Sequence, residues 1–315
     1  TPFDVSDYIE IYGTKKTYGE TIRIYAEVNG VSVPDEAFEM RYYTSDMASL
    51  GNTVPVDAGR YYVVAVWVGN GNYTGSAETE YVIEKAAATV SFTDMNSDTG
   101  YVFSYDGLTH AAKVTVSDNL TAADVIITYY NSNGNVVSVP GNPGVYRVVA
   151  EISDNNHFGS AETTLTINRA EIRVTTYPTV DSIKYGTKVG AANVSSNFVV
   201  HTTGFDSVVA GRFEAVAPDA ILNAGTHSVQ YRFVPELDYY NPLTVTLTVT
   251  VEKAAIAIEV MSPTEYPLIY DGTPKQPVVI SDSGISYRVQ FRNEAGVALP
   301  TAPTAAGNYS VTYTI

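Results

Sequence analysis

Apolar and polar residues alternate along the stretch that follows each of four glycines. The glycines are Gly59, Gly144, Gly225 and Gly307. In the second stretch, every other residue from Tyr146 to Ile152 is apolar. A period of two places successive side chains on opposite faces of a β-strand, so each stretch predicts a strand with one buried face.

A second alternating stretch follows the first three after a short loop rich in Gly, Asn and Asp, residues that supply turn geometry. Its apolar side chains form three predicted inner sets, which are Ala77, Thr79, Tyr81 and Ile83; Ala161, Thr163, Leu165 and Ile167; and Val245, Leu247, Val249 and Val251. Each pair of stretches therefore predicts an antiparallel hairpin with one face in the core.

The hairpins recur at a nearly constant period. The four glycines are 85, 81 and 82 residues apart. A period of this size predicts tandem domains. We name them repeat one (1–86), repeat two (87–170), repeat three (171–254) and repeat four (255–315). Only the short segments Glu84–Ala86, Asn168–Ala170 and Glu252–Ala254 close the first three hairpins, so neighbouring repeats are expected to sit close together.

Each repeat also carries a tyrosine–glycine landmark upstream of its hairpin. The landmarks are Tyr18-Gly19, Tyr105-Asp106-Gly107, Tyr185-Gly186 and Tyr270-Asp271-Gly272. Short strands are predicted before and after each landmark, with a tyrosine-rich strand further on; in repeat three the strand after the landmark is placed at 192–200. No segment shows a clean helical period over ten or more residues. Many short strands with regular turn signals predict an all-β chain of sandwich domains.

The final repeat is predicted to be incomplete. By the spacing of the other repeats, its closing strand would begin about ten residues beyond Ile315. The strand 309–315 would then have an unpaired edge, which is a template for addition of another strand.

The residues around the landmarks and hairpins resemble a known family. The corner Asp57 to Tyr61 is similar to the tyrosine corner of immunoglobulin-like domains, and His227 departs from it in repeat three. The pattern as a whole resembles the MBG/YDG family of bacterial immunoglobulin-like repeats. Repeat two matches it through Tyr105, Asp106, Gly107, Tyr129, Tyr130, Asn131, Gly144, Tyr146, Gly159, Ser160 and Ala161.

That resemblance implies a tandem array of four immunoglobulin-like β-sandwich domains. Repeat one resembles the family without a subtype, repeats two and four resemble its YDG type, and repeat three resembles the variant with Y-G-x. β-grasp-like repeats are the alternative fold. Members of the family recur in large secreted and cell-wall-attached surface proteins and adhesins, mostly as stalks, so the resemblance implies an extracellular location.

Composition and charge limit the classes of binding partner that the chain is expected to have. The chain of 315 residues is 45% hydrophobic, with 18 basic and 34 acidic residues and a net charge of −16. An acidic chain without a basic stripe is not expected to bind nucleic acid or anionic membranes. It has no cysteine, which fits both cytosolic and exported bacterial proteins. The chain contains no run of 18 apolar residues, so no membrane insertion is predicted, and no signal peptide is visible.

Catalytic chemistry is not indicated. The four histidines, His110, His157, His201 and His227, are scattered over three repeats without metal-ligand spacing. Glu78, Glu80 and Glu84 are expected on a solvated strand face, where no carboxyl pKa is raised for glycosidase chemistry. We therefore predict no catalytic residue and no resident cofactor.

One loop carries a weak metal signal. Asp94, Asn96 and Asp98 alternate before Gly100, as at the start of a calcium loop. Thr99 and Tyr105 stand where an EF-hand needs Gly and Glu, so the loop is not an EF-hand. Calcium binding by these three residues is an expectation here, and an Asn/Asp turn is the alternative.

Three functions remain open from the sequence. The first is a non-catalytic stalk or spacer in an exported bacterial surface protein. The second is a module that binds a host or dietary glycan or glycoprotein such as mucin. The third is an accessory part of a larger secreted enzyme.

Overall fold

The computed structural model describes residues 1–256, 258–260, 268–277, 279–281 and 286–314. Within these ranges the regular structure consists of β-strands and short 3₁₀ turns, with no α-helix. The turns are Ser6–Tyr8, Asp35–Ala37, Ala122–Asp124 and Val189–Ala191. The predicted all-β class is confirmed.

The chain separates into two compact units, each described by itself below. The first unit comprises Thr1–Thr175, Val199–Arg212 and Val234–Leu243, and the second comprises Thr176–Phe198, Phe213–Phe233 and Thr244–Ile315. The predicted four-repeat boundaries stay a prediction.

Repeat one lies in the first unit and has ten strands. They are β1 (Phe3–Asp4), β2 (Ile9–Tyr12), β3 (Lys15–Thr17), β4 (Tyr25–Val28), β5 (Val31–Ser32), β6 (Phe38–Thr44), β7 (Ser49–Gly51), β8 (Gly59–Trp67), β9 (Tyr73–Thr74) and β10 (Ser76–Glu84). One sheet has the order β3-β10-β8-β6-β7 and the other has the order β2-β4-β5. β1 and β9 form a separate parallel pair.

Repeat two repeats this plan. Its strands are β11 (Ala86–Ala87), β12 (Val90–Thr93), β13 (Tyr101–Ser104), β14 (Lys113–Val116), β15 (Val125–Tyr130), β16 (Val136–Val137), β17 (Gly144–Ile152), β18 (His157–Phe158) and β19 (Ser160–Asn168). The order β13-β19-β17-β15-β16 forms one sheet and β12-β14 the other.

The strand order identifies the sandwich type. In repeat two, β15, β17 and β19 are antiparallel neighbours, as strands C, F and G are in an immunoglobulin domain. β12 belongs to the opposing pair, and the chain then crosses over so that β13 pairs in parallel with the last strand β19. A β-grasp repeat would pack its sheet on a helix, and the described residues contain none. The immunoglobulin-like fold is therefore confirmed over the β-grasp alternative.

The core of each sandwich is made by the predicted inner faces. In repeat two, Val148, Ala150 and Leu165 are fully buried, and Val90 of the opposing pair packs with Ala150. In repeat one, Val63, Ala65, Tyr81 and Ile83 are buried at equivalent positions. Apolar burial on one face is the main stabilising contribution to such a sheet.

Repeat three departs from this plan. Its strands are β20 (Ile172–Thr176), β21 (Ile183–Lys184), β22 (Val199–Thr202), β23 (Gly211–Ala215), β24 (Gly225–Pro235) and β25 (Leu243–Glu252). In the second unit, β21 pairs in parallel with β25, and the rings of Phe198, Phe213 and Phe233 pack together with centroids 5.1–5.9 Å apart.

The strand predicted at 192–200 is wrong for most of its length. The strand there is Val199–Thr202, and the preceding residues form a loop. The Asn193 side chain donates to the Asp181 carboxylate at 2.8 Å, and the Ser195 N–H donates to the Thr179 carbonyl at 2.8 Å. These bonds hold the segment through one isolated antiparallel bridge, Val180 opposite Val194, and not through a strand ladder.

Repeat four lies in the second unit. Its strands are β26 (Ile258–Val260), β27 (Val279–Ser281), β28 (Arg288–Asn293), β29 (Ala298–Leu299) and β30 (Tyr309–Thr314). β26 pairs with β27, and the second sheet has the order β29-β28-β30. β30 is an edge strand among the described residues, and strand addition there stays a prediction.

Candidate functional site: joints between repeats

Repeats one and two meet at a joint with its own backbone pairing. We call it the first joint: Tyr18, the corner Asp57–Ala58, the linker Lys85–Ala88 and the loop Asp154–Phe158. The linker strand β11 lies parallel to β18, with Ala86 opposite His157. The N–H groups of Ala86 and Ala88 donate to the carbonyls of Asn156 and Phe158, both at 2.9 Å.

Side chains add to this pairing from both repeats. The Lys85 ammonium donates to the Asp154 carbonyl at 2.9 Å. The Asn156 amide bonds twice: its Oδ1 accepts from the Ala58 N–H at 2.8 Å, and its Nδ2 donates to the Asp57 carboxylate at 3.0 Å. One amide thus satisfies a donor and an acceptor of the opposite repeat.

The landmark tyrosine of repeat one covers this loop. The Tyr18 ring meets the His157 ring edge-on at 5.1 Å, and His157 is only 8% exposed. Nδ1 of His157 lies 2.6 Å from the Asp154 carboxylate. This hydrogen bond, with a second from the Asn156 N–H, holds the pKa of Asp154 below its ordinary value.

Repeats two and three meet through the same arrangement. We call it the second joint: Tyr105, the linker Arg169–Glu171 and the loop Asp238–Asn241, all in the first unit. Nε of Arg169 donates to the Asp238 carbonyl at 3.0 Å, as Lys85 does to Asp154, and the Arg169 guanidinium also pairs with the Asp238 carboxylate. The Ala170 N–H donates to the Tyr239 carbonyl at 2.9 Å, and the Asn241 N–H to the Ala170 carbonyl at 3.0 Å.

The second joint is also closed by the landmark tyrosine. The Tyr105 ring lies 5.0 Å from Tyr239, 5.7 Å from Tyr240 and 6.1 Å from Phe205. Tyr240 stands opposite Ala170, as His157 stands opposite Ala86. The linker alanine is therefore paired in parallel with the loop in both joints, but the paired ring lies three residues after Asp154 in the first and two residues after Asp238 in the second. That ring is an imidazole in one joint and a phenol in the other.

Comparison with known proteins bears on these repeats. The sequence profile described as the MBG domain matches residues 32–87 and 88–171. Residues 32–87 and 88–171 are two consecutive stretches similar to the MBG domain, and that name is used for them below. The predicted resemblance is confirmed over this range, which contains the first joint except Tyr18, and Tyr105 and the linker of the second joint. No curated protein matches the chain.

Solved structures similar to the chain are distant. One is a tetra-tandem repeat in the extending region of a large adhesion protein, with 15% identity, 97% of this chain and 87% of that chain covered, and a TM-score of 0.37. Another comprises three N-terminal domains of the bacteriophage RB49 outer capsid protein Hoc, with 15% identity, 80% and 100% coverage, and a TM-score of 0.25. The fold of the MBG domains is therefore assigned from their strand pairing, and not from these neighbours.

The MBG domains share a tyrosine corner. The hydroxyl of Tyr61 donates to the Asp57 carbonyl at 3.0 Å, and that of Tyr146 donates to the Asn142 carbonyl at 2.9 Å. In repeat three, Nε2 of His227 donates to the carbonyl four residues earlier at 2.7 Å. The expectation that His227 departs from the corner is wrong, because an imidazole N–H makes the same bond as the phenol.

The residues of the predicted calcium loop are engaged within their MBG domain. The Asp94 carboxylate pairs with the Lys113 ammonium at 2.8 Å. Oδ1 of Asn96 accepts from the N–H groups of Asp98 at 2.8 Å and Thr99 at 3.2 Å, which is an Asx turn. Within the described ranges, no three His, Asp or Glu side chains are grouped to hold a metal ion. Calcium at Asp94, Asn96 and Asp98 stays a prediction.

The histidines are not brought together. His157 is in the first joint, His110 stacks on Phe103 at 4.0 Å beside Asp106, and His227 is in a corner. The outer carboxylates of β10 are exposed, as predicted. Across the part of the chain that the structure describes, no helix is long and apolar enough to cross a membrane.

The joint residues are the functional residues that the sequence patterns did not single out. Asn156 and His157 were assigned only to a turn-rich loop. A shared offset marks two other pairs of joint residues: Asp238 follows Asp154, and Arg169 follows Lys85, by the same 84 residues. That offset does not mark Asn156 and His157, because Tyr240 and Asn241 stand 84 residues after them.

Proposed function

We propose that the chain is a non-catalytic spacer in an exported bacterial surface protein. It would hold other parts of that protein at a distance through MBG domains docked end to end. The observation that carries this proposal is the recurrence, at two successive boundaries, of a linker alanine paired in parallel with the next repeat's loop beneath a landmark tyrosine.

The joints favour a stiff connection over a flexible tether. In each linker the N–H that follows Lys85 or Arg169 donates to the next repeat's loop, so backbone groups of the linker already have partners. Bending the joint would break these bonds, and a backbone group loses free energy when it is left without a partner. A Gly/Ser tether has no such constraint.

The experiment is a measurement of rotational motion in the full chain. NMR relaxation should give repeats one and two the same rotational correlation time. The double variant Tyr18→Ala/Asn156→Ala should separate the two times, because it removes the ring contact and both amide bonds. Independent tumbling in the unaltered chain would contradict the proposal.

A groove beside the second joint supports glycan binding as a second candidate. It has a volume of about 670 Å³, and Val145, Asn168, Asp238 and Asn241 are among the residues that line it. Val145 is 56% exposed. The equivalent position of repeat one is Arg60, whose guanidinium pairs with the Glu80 carboxylate at 2.5 Å.

An exposed Val145 beside amide and carboxylate acceptors suits the apolar face and hydroxyl donors of a sugar. The test is a glycan and mucin screen of the full chain beside Val145→Arg, which places a long cation in the groove. Binding that Val145→Arg abolishes would support a glycan partner. A uniformly negative screen would contradict glycan binding and leave the spacer as the one supported function.

A further inference from the structure

Repeat one displays a cluster of aromatic side chains to solvent. We call it the aromatic face: Phe3, Tyr8 and Tyr73, which are 58%, 46% and 43% exposed. Phe3 lies 6.2 Å from Tyr8 and 6.5 Å from Tyr73, and Tyr73 lies 5.7 Å from Trp67. A contiguous apolar patch of this kind marks an interaction surface more often than isolated exposed residues do.

The backbone under this face has the register of the first joint. β1 pairs in parallel with β9, with Phe3 opposite Tyr73, as Ala86 stands opposite His157. The Phe3 N–H donates to the Asn72 carbonyl and the Val5 N–H donates to the Thr74 carbonyl, both at 2.8 Å. The N–H groups of Ala86 and Ala88 make the same two bonds in the first joint.

The same correspondence assigns the side chains. Tyr73 stands at the position of His157, and Asn72 stands at the position of Asn156. The backbone N–H of each of these asparagines donates to the side-chain oxygen of the residue two positions earlier. Asn70 supplies that acceptor in repeat one and Asp154 supplies it in repeat two.

The loop of repeat one differs from the loop of the first joint in that no neighbouring repeat covers it among the described residues. His157 is 8% exposed beneath Tyr18, whereas Tyr73 is 43% exposed. The Asn156 amide bonds to Asp57 and Ala58 across the joint. The side-chain amide of Asn72 makes no hydrogen bond to any residue that the structure describes. Repeat one thus carries the backbone pairing and the loop of a joint, without the landmark tyrosine and the corner that cover them in the first joint.

We propose that the aromatic face binds the landmark end of another MBG-type repeat placed directly before Phe3 in the same chain. The inference rests on the proposed function, because it assigns a docked neighbour to repeat one. That neighbour would lay a landmark tyrosine on Tyr73. Its corner would offer a carboxylate and an N–H to the Asn72 amide, as Asp57 and Ala58 do for Asn156.

The experiment adds such a neighbour to the full chain. A copy of residues 1–85 carrying Trp67→Phe is placed directly before Phe3, so that Lys85 of the copy takes the place of Pro2. The substitution changes the mass of the copy's peptide 67–76, so hydrogen exchange of the original peptide is read separately. We expect its exchange to slow about tenfold, the scale of one to two added hydrogen bonds.

The control is the same addition with Tyr18→Ala and Asp57→Ala in the copy. Its exchange in 67–76 should return to the rate of the unextended chain, while the copy's strand 59–67 stays protected and shows that it is folded. Unchanged exchange with the unaltered copy, or equal slowing with the control, would overturn the proposal.

Two further outcomes separate the alternatives. Protection of 67–76 that rises with the concentration of the unextended chain would place a second copy on the face, and would overturn an occupant in the same chain. Residues 154–159 report on the first joint in the same sample. If they are protected while 67–76 stays fast, only this inference fails; if both exchange fast, the proposed function fails as well.

Discussion

Removal of the Asn156 side-chain amide tests the first joint with a single substitution. It accepts a bond from the Ala58 N–H at 2.8 Å and donates one to the Asp57 carboxylate at 3.0 Å. A neutral hydrogen bond contributes about 1 kcal/mol net, and one to a charged group contributes about 1.5 kcal/mol or more. Because both bonds are near solvent, we expect Asn156→Ala to weaken the joint by about 2 kcal/mol.

The assay is hydrogen exchange at the N–H groups of Ala86 and Ala88. Their acceptors are the backbone carbonyls of Asn156 and Phe158, which the substitution leaves in place. A change in their exchange therefore reports opening of the joint and not the loss of an acceptor. A loss of about 2 kcal/mol corresponds to exchange about 30 times faster when opening limits it.

Asn155→Ala is the matched control. Asn155 is the exposed neighbour of Asn156, and its side chain makes no hydrogen bond within the described residues. We expect exchange at the two linker alanines to stay within about twofold of the unaltered chain. Equal acceleration by both substitutions, or none by Asn156→Ala, would refute the assignment of the amide to the joint.

Three further predictions concern the second joint, Asp154 and the predicted calcium loop. Tyr105→Ala should destabilise the second joint by about 2 kcal/mol, since each ring contact contributes about 0.5–1.5 kcal/mol. As a control, Tyr185→Ala, at a landmark tyrosine that is 52% exposed, should change the free energy of chemical unfolding by less than about 0.5 kcal/mol. The pKa of Asp154 is lowered from 3.8 in the folded chain, so its contribution to stability is present above about pH 4 and is lost as the pH falls through the lower folded pKa. Asp154→Asn should flatten the loss of first-joint protection below about pH 4. If the predicted calcium loop binds, calorimetry should show tighter binding to Lys113→Gln, because the Lys113 ammonium occupies the Asp94 carboxylate; absence of binding heat in both proteins would contradict the calcium prediction.

Features specified by neighbouring residues in the sequence could be predicted. The hairpin of β17 and β19 follows from alternation that is visible from Tyr146 to Ile167, and burial confirms which face is inside. The tyrosine corner is equally local, because the donor and the carbonyl are four residues apart. In both cases the physical cause lies within a short window of sequence.

The crossover of β13 could not be predicted in the same way. Its four residues pair in parallel with the last strand, Tyr101 opposite Leu165 and Ser104 opposite Asn168. A period of two is the same for parallel and antiparallel partners. The residues also precede the landmark directly, so their pattern alone shows neither the partner nor the sheet to which they belong.

The joints show why function was harder to predict than fold. Asn156 and His157 look like turn residues in their own repeat, and their partners Asp57 and Tyr18 belong to another. Their role exists only after two sandwiches have folded and docked. Sequence periodicity describes each sandwich, whereas the chemistry of the joint lies in pairs of positions that no single period brings together.

The two joints also differ in a way that separates what specifies them from what adjusts them. Both keep the parallel pairing and a basic side chain that donates to an aspartate carbonyl. The covered ring changes from His157, three residues after Asp154, to Tyr240, two residues after Asp238, while the linker alanine stays paired in parallel with it. Backbone groups must have partners whatever the side chains are, so the backbone pairing fixes how consecutive repeats dock. The rings and amides then set how strongly each joint is held, and an array built this way can vary its stability joint by joint while it keeps one docking geometry.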